Sequence, residues 1–229
     1  MAGIRLESTS ADSRAPRVGE IGQGRLPGAG GSAFVTKNAR LLPELFKGLD
    51  PDERLKVLEI GRAQPETIDF FSRYKCRLQF ADIYSSDELL QEQAKLSEAE
   101  LAVGFRKALS LPKEAKFDVC LFWDILLYLT GPAIRALCGV LEPHIHPGTR
   151  AHGIGVHSTL TRCERAEYAI TDSSEFKLKQ GRLPELEYRP HPQAELSEML
   201  TVFKIDRAML MGDGTVEMLL RSKPYWNIS

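Results

Sequence analysis

The sequence predicts an α/β protein with a doubly wound, mostly parallel Rossmann-like sheet that ends in an antiparallel hairpin. Apolar runs typical of buried strands alternate with helical periodicity across residues 55–157. The first run, Leu55–Ile60, is followed at once by Gly61, and the second ends beside an acid, Asp82. Near the other end, Gly212-Asp213-Gly214 separates two apolar runs, which is a strong hairpin signal.

Each element has its own local signal. Continuous or alternating apolar residues predict the strands, which span 55–60, 77–83, 105–109, 117–123, 151–157, 203–211 and 215–221. Apolar residues spaced by three and four predict helices over 38–49, 134–141 and 193–200. Pro65 fits the first position of a helix, and the Ser-x-x-Glu patterns at Ser85 and Ser97 predict two capping boxes.

The chain divides into a tail and one domain. Residues 1–33 are rich in Gly, Ser and Arg and have little apolar periodicity, so we expect a flexible N-terminal tail. Residues 34–229 are long enough for a single α/β domain. Within it, residues 158–191 have no regular pattern, and we expect them to form a lid or surface insertion.

Composition excludes several functional classes. A net charge of −1 makes nucleic acid an improbable partner, since such proteins carry a basic surface. No apolar run approaches the ~18 residues that a membrane helix needs, and the N-terminus has no apolar signal core. The four cysteines have no metal-ligand spacing, so we expect no metal and a reduced, cytoplasmic protein.

The motifs around the first strand define a family resemblance. Val57-Leu58-Glu59-Ile60-Gly61 combines a strand, an acid and a tight turn, and Asp82 follows Gly61 by 21 residues. The run from Phe117 to Leu129 provides a further buried strand and an apolar turn. Together with the terminal hairpin, this set resembles the class I S-adenosylmethionine-dependent methyltransferases over residues 55 to about 221.

The resemblance implies a cofactor and a site. S-adenosylmethionine would bind at the ends of the strands, with Asp82 accepting from the ribose hydroxyls and Glu59 and Gly61 at the first loop. Arg62 would supply charge to the methionine carboxylate. The remaining cofactor-binding residues implied are Ile83, Ala108, Leu109 and Trp123. Methyl transfer depends mainly on positioning, and the candidates for a catalytic side chain are Asp124 and His157.

Other readings of the same residues stay open. Ala63 and Pro65 stand where such loops carry glycines, and Lys107 stands where the family often has an acid. These departures favour a catalytically silent methyltransferase-like scaffold that acts as a binding or regulatory protein. A nicotinamide dehydrogenase would need Gly-x-Gly-x-x-Gly after the first strand, of which only Gly61 is present. The partner is thus an unidentified methyl acceptor or a protein.

The proposed tail gives a direct test. Residues 1–33 lack the apolar surface that would offset the entropy cost of ordering them. We expect that deleting them leaves the melting temperature of the domain nearly unchanged in a calorimetric scan. A large decrease would mean that the tail packs on the domain.

Overall fold

The structure is a computed structural model that describes residues 34–50, 52–179, 183 and 185–223. The predicted tail, residues 1–33, lies outside the described residues. The strands are β1 (Phe34–Asn38), β2 (Leu55–Ile60), β3 (Cys76–Ala81), β4 (Val119–Trp123), β5 (Arg150–Val156), β6 (Glu167–Asp172), β7 (Glu175–Lys179), β8 (Phe203–Leu210) and β9 (Thr215–Ser222). The helices are α1 (Leu42–Phe46), α2 (Pro65–Phe71), α3 (Asp87–Glu92), α4 (Glu98–Leu109), α5 (Gly131–Leu141) and α6 (Gln193–Met199). Short 3₁₀ turns cover Ile83–Ser85, Ile125–Leu127 and Glu142–His144.

The main sheet has the order β3-β2-β4-β5-β9-β8. β3, β2, β4 and β5 are parallel, whereas β9 and β8 are antiparallel additions joined by the predicted hairpin. The strand order changes direction between β2 and β4, and such a switch point leaves a crevice at the carboxyl ends of the strands. The doubly wound sheet with an antiparallel end is therefore confirmed.

β4 is buried along its whole length, as its continuous apolar run predicted. Cys120 and Phe122 face a core formed with α4 and α5. Val119, Leu121 and Trp123 face the opposite core, which α1 and α2 help to form. Alternate side chains of one strand thus enter two cores, because a parallel sheet must be covered on both faces.

A second sheet completes the cover of the face that Trp123 joins. β1, β7 and β6 form an antiparallel sheet in that order, and Tyr168, Ile170, Phe176 and Leu178 pack from it into the core. We expected no regular structure in residues 158–191, and this expectation was wrong, because β6 and β7 lie there. Whether this segment acts as a lid stays a prediction.

Two other assignments from the sequence were wrong. The helix expected over 38–49 is limited to α1, because Asn38 pairs in β1 and Gly48 adopts a positive φ of 74° after the helix. The strand expected over 105–109 is the last part of α4. Leu101, Phe105 and Leu109 lie four residues apart and are buried together, which is the helical period.

The helix starts follow the sequence only in part. Pro65 begins α2, and Ser97 forms the predicted capping box with Glu100. The capping box expected at Ser85 is absent: α3 begins after Ser86 without a side-chain cap, and the Ser85 hydroxyl donates to Asp82 instead. This departure turns Ser85 toward the carboxyl ends of the strands.

Glu217 joins the N-terminal segment to the main sheet. Its side chain is only 2 % exposed and accepts hydrogen bonds from the backbone N–H of Arg40 at 2.6 Å and of Leu42 at 2.9 Å. His152 Nε2 on β5 lies 3.0 Å from its Oε1. One carboxylate on β9 therefore binds the start of α1 and the neighbouring strand.

This contact predicts a large stability effect. Glu217→Ala would leave buried donors without an acceptor, and we expect it to lower the free energy of unfolding by about 3 kcal/mol. The control, Glu198→Ala on the exposed side of α6, should change it by less than about 0.5 kcal/mol. Urea denaturation measures both, and equal values would show that the Glu217 contacts add nothing to stability.

Candidate functional site

A cavity of about 260 Å³ lies at the carboxyl ends of β2, β3 and β4. Glu59 and Gly61 reach it from β2, Asp82 from the turn after β3, and Trp123 from the end of β4. Parallel strands bring their carboxyl ends to one edge of the sheet, so these side chains meet although they are far apart in sequence.

Gly61 makes the sharp turn out of β2. Its φ is 151°, which few other residues adopt, and its N–H donates to Ala81 O at 2.9 Å. A Cβ built on Gly61 would have no neighbouring atom within 4 Å. The space beside the loop is therefore open, and the turn itself accounts for the glycine.

Glu59 is a buried acid at the cavity wall. It is 2 % exposed, and the Trp123 indole N–H donates to its Oε1 at 2.9 Å. Its Oε2 is buried and has no partner among the described residues. Burial raises the pKa of Glu59 to about 8, against which the Trp123 hydrogen bond acts in the opposite direction. Glu59 is therefore largely protonated at neutral pH.

Trp123 adopts a backbone conformation that is rare for a large side chain. Its φ is 49°, in the left-handed region, and the pairing of β4 with β5 shifts register beside it. Such a conformation costs on the order of 1–3 kcal/mol and persists only when surrounding contacts hold it. Here the indole stacks on the Tyr168 ring, with centroids 5.0 Å apart and planes 8° apart, in addition to its bond to Glu59.

The two carboxylate oxygens of Asp82 differ in their hydrogen bonding. Its Oδ2 accepts from Arg62 Nε at 3.0 Å and from the Ser85 hydroxyl. Its Oδ1 is buried and has no partner among the described residues. An acceptor in this position would normally be satisfied, so Asp82 Oδ1 and Glu59 Oε2 mark places where a donor fits.

Residues 165–168 cover the cavity, and we call them the roof. Each is tied to the strand ends below. The Arg165 guanidinium lies 4.4 Å from the Tyr84 ring centroid, and Glu167 lies 3.6 Å from Arg62 Nη1. Tyr168 stacks on Trp123.

Asp124 lies directly under the roof and is fully buried. It accepts from the Tyr84 hydroxyl at 2.6 Å and from the Tyr168 hydroxyl at 3.3 Å. The Ala166 backbone N–H also donates to it. Burial raises the pKa of Asp124 to about 6, and these hydrogen bonds limit the shift. Asp124 thus joins the end of β4, the turn after β3 and the roof.

The residues expected at the site fall into three groups. Glu59, Gly61, Arg62, Asp82 and Trp123 line the cavity. Asp124 contacts two of its lining tyrosines from below, without lining it. The others are elsewhere: Ile83 is buried in the core, Ala108 and Leu109 pack against that core from α4, and His157 is exposed beyond the end of β5. Ala63, which stands where such loops carry a glycine, is exposed and does not line the cavity.

Sequence reasoning missed nine of the fourteen lining residues. Tyr84 and Ser85 follow Asp82 directly, so the end of the second strand was a signal that could have found them. Arg165, Glu167 and Tyr168 had no such signal, because they precede or begin β6, a strand that the sequence did not predict. Among the described residues, no group of three His, Cys, Asp or Glu side chains could hold a metal ion. No described helix has the length and apolar character of a membrane span.

Comparison with known proteins gives structural matches only. No protein-family model and no curated protein sequence matches the chain. The pyocyanin biosynthetic protein PhzM is 15 % identical with a TM-score of 0.44, over 80 % of this chain and 54 % of that one. The mitomycin 7-O-methyltransferase MmcR is 12 % identical with a TM-score of 0.45, over 80 % and 53 %. The Burkholderia thailandensis 1,6-didemethyltoxoflavin-N1-methyltransferase is 16 % identical with a TM-score of 0.46, over 81 % and 78 %.

The match spans about half the length of the first two of these proteins. The order of the main sheet and its antiparallel hairpin give this chain a Rossmann-like fold with an antiparallel end, as the sequence predicted.

The buried Glu59 predicts a pH effect on stability. Its pKa is about 8 in the folded chain and near the ordinary 4.5 when unfolded, so between these values the folded state holds the extra proton. The free energy of unfolding should therefore fall as pH rises, by up to about 1.4 kcal/mol per pH unit, and level off above the folded pKa.

Glu59→Gln isolates this contribution, because the amide keeps an oxygen for the Trp123 indole and cannot ionise. We expect the stability of the variant relative to wild type to increase steadily between about pH 5 and pH 8 in urea denaturation. Parallel pH profiles for the two proteins would show that Glu59 has an ordinary pKa.

Proposed function

We propose that the cavity binds S-adenosylmethionine and that the protein transfers its methyl group to an acceptor. The observation that carries this proposal is the pair of buried, unpartnered carboxylate oxygens, Asp82 Oδ1 and Glu59 Oε2, at the wall of one cavity. Asp82 Oδ1 is an acceptor without a donor, and Glu59 Oε2 becomes one when a cationic ligand displaces its proton, so a ligand with hydroxyl and ammonium groups would satisfy both.

Asp82 suits a ribose. A carboxylate can accept from both hydroxyls of a cis-diol, and Oδ1 is available while Arg62 and Ser85 hold Oδ2 in place. These two bonds fix the orientation of the carboxylate before a ligand arrives. A preoriented acceptor loses less freedom on binding.

Glu59 suits the cationic end of the cofactor. A positive group beside Oε2 would favour the ionised carboxylate and offset the burial that now keeps it protonated. The open space beside Gly61 leaves room for a ligand backbone along the first loop. The residues present therefore fit the group at its polar ends.

When bound, S-adenosylmethionine would supply a methyl group on a sulfonium sulfur, which is already a good leaving group. The chain itself would bind and orient the cofactor and exclude water from the site. The roof closes over the strand ends, and the stacked Trp123 and Tyr168 provide a rigid apolar wall. Asp124, with a pKa of about 6, is placed to take up a proton through the Tyr84 hydroxyl.

A silent scaffold is the second candidate, and specific observations favour it. The cavity volume of about 260 Å³ is below the usual ~300–1,000 Å³ of ligand sites. Ala108 and Leu109, which the family resemblance implies as cofactor-binding residues, do not line the cavity. On this reading the fold would present a surface to a partner, and the Arg62–Asp82 ion pair would replace the ligand contact.

Calorimetric titration with S-adenosylmethionine and S-adenosylhomocysteine separates the two candidates. If the first is right, both ligands bind, and Asp82→Ala weakens binding by roughly one to two orders of magnitude, since a hydrogen bond to a charged group contributes about 1.5–3 kcal/mol.

The matched control is Asp69→Ala, which removes an exposed acid from α2 and should leave affinity unchanged. Circular dichroism and the melting temperature establish that both variants are folded. No heat of binding in the wild type would favour the scaffold. Equal affinities for wild type and a folded Asp82→Ala variant would remove Asp82 from the site.

A further inference from the structure

A second, larger cavity lies on the other side of the roof. Its volume is about 410 Å³, within the range of small-molecule sites. It lies between the two sheets. Phe176 and Leu178 line it from β7, and Ile154 and Glu217 line it from β5 and β9. Only Ala166 and Tyr168, among the described residues, line both cavities.

The inner wall of this cavity is aromatic and apolar. The Tyr168 and Phe176 rings have centroids 5.9 Å apart at 46°, and both side chains are less than a tenth exposed. Ile154 and Leu178 continue the surface and are equally buried. Such a wall suits an apolar body, and ring faces attract a cation placed over them.

The charges around the cavity favour a positive ligand. Glu164, Asp213 and Glu217 supply carboxylates, whereas Lys37 and Arg162 supply the cations. Lys37 is bonded to Asp213, so that pair is neutral as a unit. Arg162 and Glu164 are exposed at the rim, where solvent screens them.

Among the charged side chains that line this cavity, Glu217 is the most buried, at 2 % exposed. Although burial opposes ionisation, the hydrogen bonds from His152 and the backbone lower the pKa of Glu217. Leu42 N and His152 Nε2 lie within hydrogen-bond distance of its Oε1, Arg40 N lies within that distance of its Oε2, and the Leu41 backbone also donates to the carboxylate. Glu217 lines the cavity, so it supplies a buried negative charge at the cavity wall.

We propose that this second cavity binds a small molecule with an aromatic or apolar body and a protonated amine. The body would pack on Tyr168 and Phe176, and the ammonium group would lie toward Glu217. This proposal does not rest on methyl transfer, since the walls and charges stand whether or not the first cavity takes S-adenosylmethionine.

Three probes that share a phenyl ring and a two-carbon chain, and differ in charge, test the ligand class. Phenethylamine is cationic, 2-phenylethanol is neutral and phenylacetate is anionic at neutral pH. We expect phenethylamine to bind in the millimolar range typical of such small ligands, at least about tenfold more tightly than phenylacetate, with the alcohol between them.

Methionine methyl resonances locate the binding. The protein is labelled with ¹³C at its methionine methyl groups. Met211 lines the cavity and reports binding there, and Met199 on α6 serves as the internal reference. Phenethylamine should shift the Met211 signal in a saturable manner and leave the Met199 signal in place. This readout uses the wild type and needs no variant to fold.

Two substitutions check the assignment further. Met211→Trp fills the rim of the cavity and should abolish phenethylamine binding, whereas Glu164→Gln at the solvent-screened rim should change it by less than about twofold. Glu114→Gln, on a different surface, should have no effect.

The proposal is overturned if phenylacetate binds as tightly as phenethylamine, or if no probe shifts Met211. A phenethylamine titration that shifts Met199 as much as Met211 also overturns it. A failed S-adenosylmethionine titration with a positive result here would remove the proposed function and leave this inference intact.

Discussion

A parallel sheet has two apolar faces, and both must be covered. On one face of the main sheet, α4 and α5 do this in the ordinary way. On the other face, α1 and α2 are short, and the antiparallel sheet of β1, β7 and β6 supplies the remaining cover. Because this small sheet extends over the carboxyl ends of β2, β4 and β5, the need to bury one face also creates the roof and both cavities. The core and the candidate sites are thus products of the same packing.

The strand ends hold an unusual concentration of buried acids. Glu59, Asp124 and Glu217 are each at most 2 % exposed, yet their environments differ. Glu217 receives several N–H donors, so its pKa is lowered despite burial. Glu59 receives one, from Trp123, so burial dominates and its pKa rises. Asp124 receives three donors, yet complete burial still raises its pKa to about 6, so hydrogen bonding and burial together decide which carboxylate keeps its charge.

The sequence predicted the elements whose signals are local. The continuous apolar run of β4, the turn at Gly61 and the hairpin around Gly214 each follow from a few adjacent residues. The end of α4 was misread because Phe105 and Leu109 look like a short strand unless the periodicity is followed back to Ser97. The pairing of β1 with β7 joins residues some 140 positions apart, for example Phe34 with Lys179, and no local pattern predicts such a contact. The roof residues, which precede or begin β6 in the same small sheet, were therefore beyond the reach of sequence reasoning.

β8 is the outermost strand of the main sheet within the described chain, and most of its residues are exposed. An unpaired strand edge can add a strand from another molecule, which is how many sheets polymerise. Lys204, Asp206 and Arg207 place charges along the first half of this edge, and a register shift between Ile205 and Arg207 bends it. The second half carries Met209 and Leu210, which are 44 % and 57 % exposed and lack such protection. Pairing with another molecule would therefore start at the far end of β8, beside the second cavity, since Met209 pairs with Glu217.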